Sequence, residues 1–129
     1  MLRRQGFEEA MAKAGLANKD NMIVASGRFR FRAALERAEE MLSSPNRPTA
    51  IFAANDEMAS AVVMAANRLG LRVPEDLSVA GFDDAPIASV MWPDLTTIAQ
   101  PFEKIGQAAV NAFMKNRPSD ESVSETIVL

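Results

Sequence analysis

The chain has 129 residues, enough for one domain with a real core, and its 48% apolar and 24% charged content is ordinary for a globular protein. It contains neither Cys nor His, which excludes a disulfide framework, a thiolate nucleophile, the usual general base and the commonest zinc ligands. The formal net charge of −3 gives no whole-surface attraction to nucleic acid or acidic lipid, and no apolar run reaches the roughly 18 residues of a membrane span.

The opening residues, Met1 to Phe7, lack the apolar core of a signal peptide, so a cytoplasmic location is expected. Residues 3–14 read as a helix: Phe7, Ala10, Met11 and Ala14 recur at helical spacing as one apolar stripe, and Gly15 stops it. A polar loop over 16–20 leads to a short strand expected at 21–25, and Gly27-Arg28-Phe29-Arg30 reads as a turn. Phe31, Ala34, Leu35, Ala38 and Leu42 mark a second helix that ends near Ser43-Ser44-Pro45. Arg28, Arg30 and Arg32 share no aromatic platform and read as a solvated face, not as nucleic-acid contacts.

The stretch from Arg47 to Gln100 organises the chain. Two apolar strands are expected at 49–53 and 77–82, each emptying into a polar corner, Asn55-Asp56 and Asp83-Asp84. A small-residue helix over 58–69, ended by Gly70, lies between them. Strand, helix, strand is a parallel βαβ unit, and such sheets bind ligands outside the carboxyl ends of their strands. Asn55 or Asp56 can cap the helix, whose apolar residues cover more than one face, so part of it is expected to meet a second surface. Residues 87–91 read as a helical turn, 95–100 as β-rich, and 101–116 as a helix with Phe102, Ile105, Ala109, Ala112 and Phe113 on one stripe. A last strand is expected at 126–129. No nucleophile elbow or phosphate loop is present, and adjacent Asp83 and Asp84 need not converge as an acid–base pair, so no catalytic residues, cofactor or metal are expected.

Arg-x-x-Gly-Phe at 3–7, the run 47–59 (RPTAIFAANDEMA), the run 69–84 (LGLRVPEDLSVAGFDD) and Pro-x-Leu-Thr-Thr-Ile-x-Gln-Pro at 93–101 resemble the lactose-repressor/galactose-repressor family of bacterial transcription regulators. The likeness covers essentially the whole chain, and the three longer motifs in this order are highly specific. It implies an α/β fold, a three-layer parallel sheet flanked by helices, forming one lobe of a type I periplasmic-binding-protein-like fold. Residues 1–129 would be the C-terminal lobe of the effector domain, with the 101–116 helix belonging to the other lobe in intact members and the helix-turn-helix lying outside the chain. Operator DNA would then be bound only through that missing module, and the fragment alone would bind effector weakly.

The resemblance also implies a small-molecule effector, a sugar or sugar phosphate, held between lobes. Asp83 would accept from hydroxyls, Asn55 donate and accept, Arg3 offer its planar fork, Phe29 stack, and Gln100 and Phe102 close over the ligand. Each has a plainer reading: Asn55 a helix cap, Asp83 a turn former, Arg3 a frayed terminus, Phe29 and Phe102 core. A homodimer is implied through the helices at 31–41 and 58–68 and the loop 87–92, naming Val62, Ile87, Val90, Met91 and Trp92. The alternative with the same fold is a periplasmic sugar-binding transport protein.

Overall fold

A computed structural model describes residues 2–17 and 22–115. The chain divides into two compact units, Met1–Ile98 and Ala99–Leu129. In the first, helices α1 (Leu2–Lys13), α2 (Phe31–Leu42) and α3 (Asp56–Arg68) accompany strands β1 (Ala50–Phe52) and β2 (Ser78–Ala80), followed by a 3₁₀ turn at Pro86–Ser89. In the second lies α4 (Phe102–Lys115).

β1 and β2 are parallel, with Ala50 opposite Ser78, Ile51 opposite Val79 and Phe52 opposite Ala80. Thr96 bridges to Ala80 in parallel, and the Gly81 and Asp83 amides donate to the Thr96 and Ile98 carbonyls at 2.8 and 2.9 Å. A third extended segment therefore runs beside the end of β2. Alternation along β1 separates its faces. Ile51 packs with the α2–α3 core, while Phe52 lies under α1, its ring stacked on Phe7 at 5.7 Å between centroids. The order helix, sheet, helix matches the expected α/β layering.

The core is built on α3. Ala59, Ala61, Val62, Val63, Ala65 and Ala66 are all buried, against Ala38 and Leu42 of α2 and Leu77 and Val79 beside the sheet. Alanines on both helices allow close approach, so α2 covers the Val62 face of α3, while Met64 stays exposed on another. Gly70 ends α3 at φ +72, with the Leu71 amide donating to the Ala66 carbonyl at 2.9 Å, and Gly15 ends α1 in the same way at φ +71.

Several expectations are corrected. β1 is not buried on both faces: Ala50 is exposed and Ile51 and Phe52 half-buried, because a cavity of about 960 Å³ opens beside the strand between Phe7, Met11, Ile23, Ala38 and Met58. Met22 to Ala25 forms no strand; Asn21 and the strand expected at 126–129 lie outside the described residues. α4 carries no buried residue, and Phe102, expected to face a core, is 60% exposed. Among the described residues no helix is long and apolar enough to cross a membrane.

Candidate functional site

Parallel pairing places the ends of β1 and β2 at one edge of the sheet, and Arg3 reaches that edge from α1. Its guanidinium donates to the Ala54 carbonyl and, at 2.9 Å, to Asp83 Oδ1. Its Cζ lies 4.1 Å from the centre of the Phe82 ring, a cation–π contact that fixes the plane of the fork. Arg3 thus ties the corner after β1 to the corner after β2. The guanidinium has five N–H donors in all, and both side chains remain 27% exposed, so the pair faces solvent at the edge where a ligand would sit.

The second corner is held in an uncommon conformation. Asp83 and Asp84 have φ of 111° and 55°, in the region that a side chain disfavours and Asp tolerates better than most. Consecutive amides pin it: Asp83 N–H to the Ile98 carbonyl at 2.9 Å, Asp84 N–H to Thr97 Oγ1 at 3.3 Å, and Ala85 N–H to Asp56 Oδ2 at 2.7 Å. Asp83 faces Arg3 while Asp84 is exposed, so the two carboxylates do not form an acid–base pair. Among the described residues no group of acidic side chains is arranged to hold a metal ion.

The first corner divides its work among three neighbours. Asn55 is the helix cap: its Oδ1 accepts the Met58 amide at 2.8 Å, which leaves the side-chain NH₂ as the group aimed elsewhere. Asp56 is buried and reaches across to Ala85 and Thr97. Glu57 accepts the Phe31 amide at 3.0 Å, tethering the start of α2. Just before it, Arg28 and Phe29 form a tight turn at φ 51° and 53°, closed by Arg30 N–H on the Gly27 carbonyl at 3.0 Å. Phe29 is 43% exposed there, so it is not a core residue. The roles of Asp56 and Thr97 escaped sequence reasoning; the only signal was a second cap-type residue, Asp56, directly after Asn55.

Arg3, Asn55 and Asp83 are therefore brought to one edge, with Phe29 on a turn fastened next to it. Gln100 and Phe102 belong to the second unit, where the Phe102 amide donates to the Gln100 carbonyl at 2.9 Å. Of the residues expected at a pairing surface, Val90 and Trp92 are 79% and 90% exposed and, with half-buried Ile87 and Met91, line a shallow depression of about 590 Å³ shared with Phe31 and Met64. Val62 is different. It is 5% exposed and packed in the core, because α2 lies over that face of α3; the exposed apolar residue of this part of α3 is Met64.

The whole chain, residues 1–129, matches the periplasmic binding protein-like domain family. It is 41% identical over 113 residues to the HTH-type transcriptional repressor PurR of Photobacterium profundum, covering 88% of this chain and 34% of that protein. The ribose operon repressor of Escherichia coli gives the same figures. Solved structures agree: a lac repressor dimer bound to operator and the anti-inducer ONPF superposes with a TM-score of 0.78 at 32% identity, covering 88% of this chain and 39% of that one. The chain belongs to the LacI family. A second solved neighbour, a transcriptional regulator CelR–cellobiose complex, superposes with a TM-score of 0.80 at 32% identity over 88% of this chain and 34% of that one. The chain spans about a third of the length of these curated relatives, and its residues match the periplasmic binding protein-like domain throughout.

Proposed function

We propose that this chain is the effector-sensing and pairing part of a bacterial LacI-family transcription regulator. The observation that carries the proposal is Arg3 joined to both the Ala54 carbonyl and the Asp83 carboxylate at the carboxyl edge of β1 and β2. A polyhydroxyl ligand needs acceptors and donors in fixed directions. Asp83 supplies the acceptor, Arg3 the planar donor and Asn55 an NH₂ whose direction its cap bond sets. Phe29 offers an exposed ring for the C–H face of a sugar. Gln100 and Phe102, which the family likeness names, are further candidate contacts in the full-length protein. Relatives named for ribose and cellobiose support a sugar as the class.

In the full-length protein the ligand favours one arrangement of two lobes, and the change alters operator affinity through a separate DNA-binding region. DNA then shifts ligand affinity by the same factor. Pairing of two copies uses Trp92, Val90, Ile87, Met91 and, on α3, Met64. Transport is the weaker reading, since the curated relatives are named as repressors.

Calorimetry of the full-length protein with D-ribose, cellobiose and lactose tests this reading. A bound sugar whose affinity falls at least about tenfold in Arg3→Ala and Asp83→Asn supports it. A sugar that binds wild type and both variants alike overturns the site.

A further inference from the structure

We infer that Asp56 is a positioning residue for the ligand-binding turn, setting where the Asp83 carboxylate stands. The inference rests on the reading of Arg3, Asn55 and Asp83 as ligand contacts. Asp56 is 1% exposed, and among the described residues no Lys or Arg pairs with it. A buried carboxylate is expensive unless hydrogen-bonded. This one is satisfied by the loop that carries Asp83 and by the extended segment beside it: Oδ2 accepts the Ala85 amide at 2.7 Å and Oδ1 accepts the Thr97 hydroxyl at 2.6 Å. The Thr97 oxygen in turn accepts the Asp84 amide at 3.3 Å. Both residues of the turn have positive φ, and such backbone persists only where the surroundings over-determine it.

Gly81 supplies a second, independent observation. A Cβ there would collide with Asp56 Oδ1 and come within 3.1 Å of Leu95 Cδ2. The backbone entering the turn is thus seated directly against the carboxylate. A helix start alone does not require this, because Asn55 already caps α3. Asp56 lies one residue after Asn55 and grips the chain two residues after Asp83. It therefore sets the spacing between the two corners that Arg3 spans, and that spacing decides which hydroxyl pattern fits.

The test uses full-length protein, with D-ribose, cellobiose and lactose as probes, well below its melting transition. Asp56→Asn and Thr97→Val are expected to lower affinity by roughly tenfold or more while dimerisation is unchanged. Thr97→Ser, which keeps the hydroxyl, stays within roughly twofold of wild type. Amide exchange at Asp84 and Ala85 quickens in the first two variants and not in the third; Thr97→Val carries the test where Asp56→Asn does not fold. If Asp83→Asn abolishes binding while Asp56→Asn and Thr97→Val bind as wild type, Asp56 is merely structural and the inference falls alone. If wild type binds none of the sugars, or Asp83→Asn binds as well as wild type, the reading of the site falls and takes this inference with it.

Discussion

Arg3 and Asp83 stand 80 positions apart in the chain and meet at 2.9 Å, each with 27% of its side chain exposed. The pair does structural work as well as facing the site, since Arg3 also holds the Ala54 carbonyl. A half-exposed pair gains modestly from Coulomb attraction and more from its fixed geometry. A double-mutant cycle of Arg3→Met and Asp83→Asn in urea denaturation is expected to show coupling of about 1 kcal/mol. Additive effects within error would mean that the pair does not persist in solution.

Asn55 holds two roles that substitution can separate. Asn55→Ala removes the acceptor for the Met58 amide and should destabilise the protein by about 1 kcal/mol. Asn55→Asp keeps a good cap and loses the NH₂ donor. It is expected to leave the melting temperature close to wild type while weakening sugar binding by about tenfold. Equal binding by Asn55→Asp and wild type would reduce Asn55 to a helix cap.

The βαβ frame was legible because apolar runs, Gly70 and the polar corners are local signals. Local sequence did not divide labour between Asn55 and Asp56: either caps a helix, and only the tertiary placement of Ala85 and Thr97 takes Asp56 away from that task. Nor did it show which apolar face of α3 is covered. Periodicity finds apolar faces, but the small side chains of Ala34 and Ala38 decide that α2 lies close enough to bury Val62. The strand expected at 21–25 failed for a different reason. Its composition suits a strand, yet Met22 to Ala25 finds no partner strand among the described residues and borders the cavity beside β1.

Val62 and Trp92 were both expected at a pairing surface, and their burial predicts opposite behaviour. Val62→Ala removes two methyl groups from the core and should destabilise the protein by about 2 kcal/mol without changing its state of association. Trp92→Ala removes a ring that is 90% exposed in the chain, so stability at high dilution should hardly change while association weakens. Sedimentation across a concentration series, paired with denaturant unfolding, reads both. Association unaffected by Trp92→Ala would exclude the 87–92 surface from pairing.

The segment entering β2 carries an acid-sensitive clasp. Arg72 donates from its amide and Nε to Asp76 Oδ2 at 2.9 and 2.7 Å, and from Nη2 to Oδ1 at 2.9 Å. The side-chain hydrogen bonds from Arg72, then its backbone amide, hold the Asp76 carboxyl well below the usual carboxylate range. A carboxylate depressed in the folded state adds stability that is fully present above its unfolded value of about 3.9 and is lost as pH falls toward the folded value. The clasp lies at the surface, so salt weakens it. Asp76→Asn should therefore melt below wild type at neutral pH, with the gap beginning to close only as the pH drops below about 4, and narrowing in high salt. Thermal melts of both proteins from neutral to strongly acid buffer check this, and a gap that stays constant or widens on acidification would show that the clasp contributes through chain shape and not through charge.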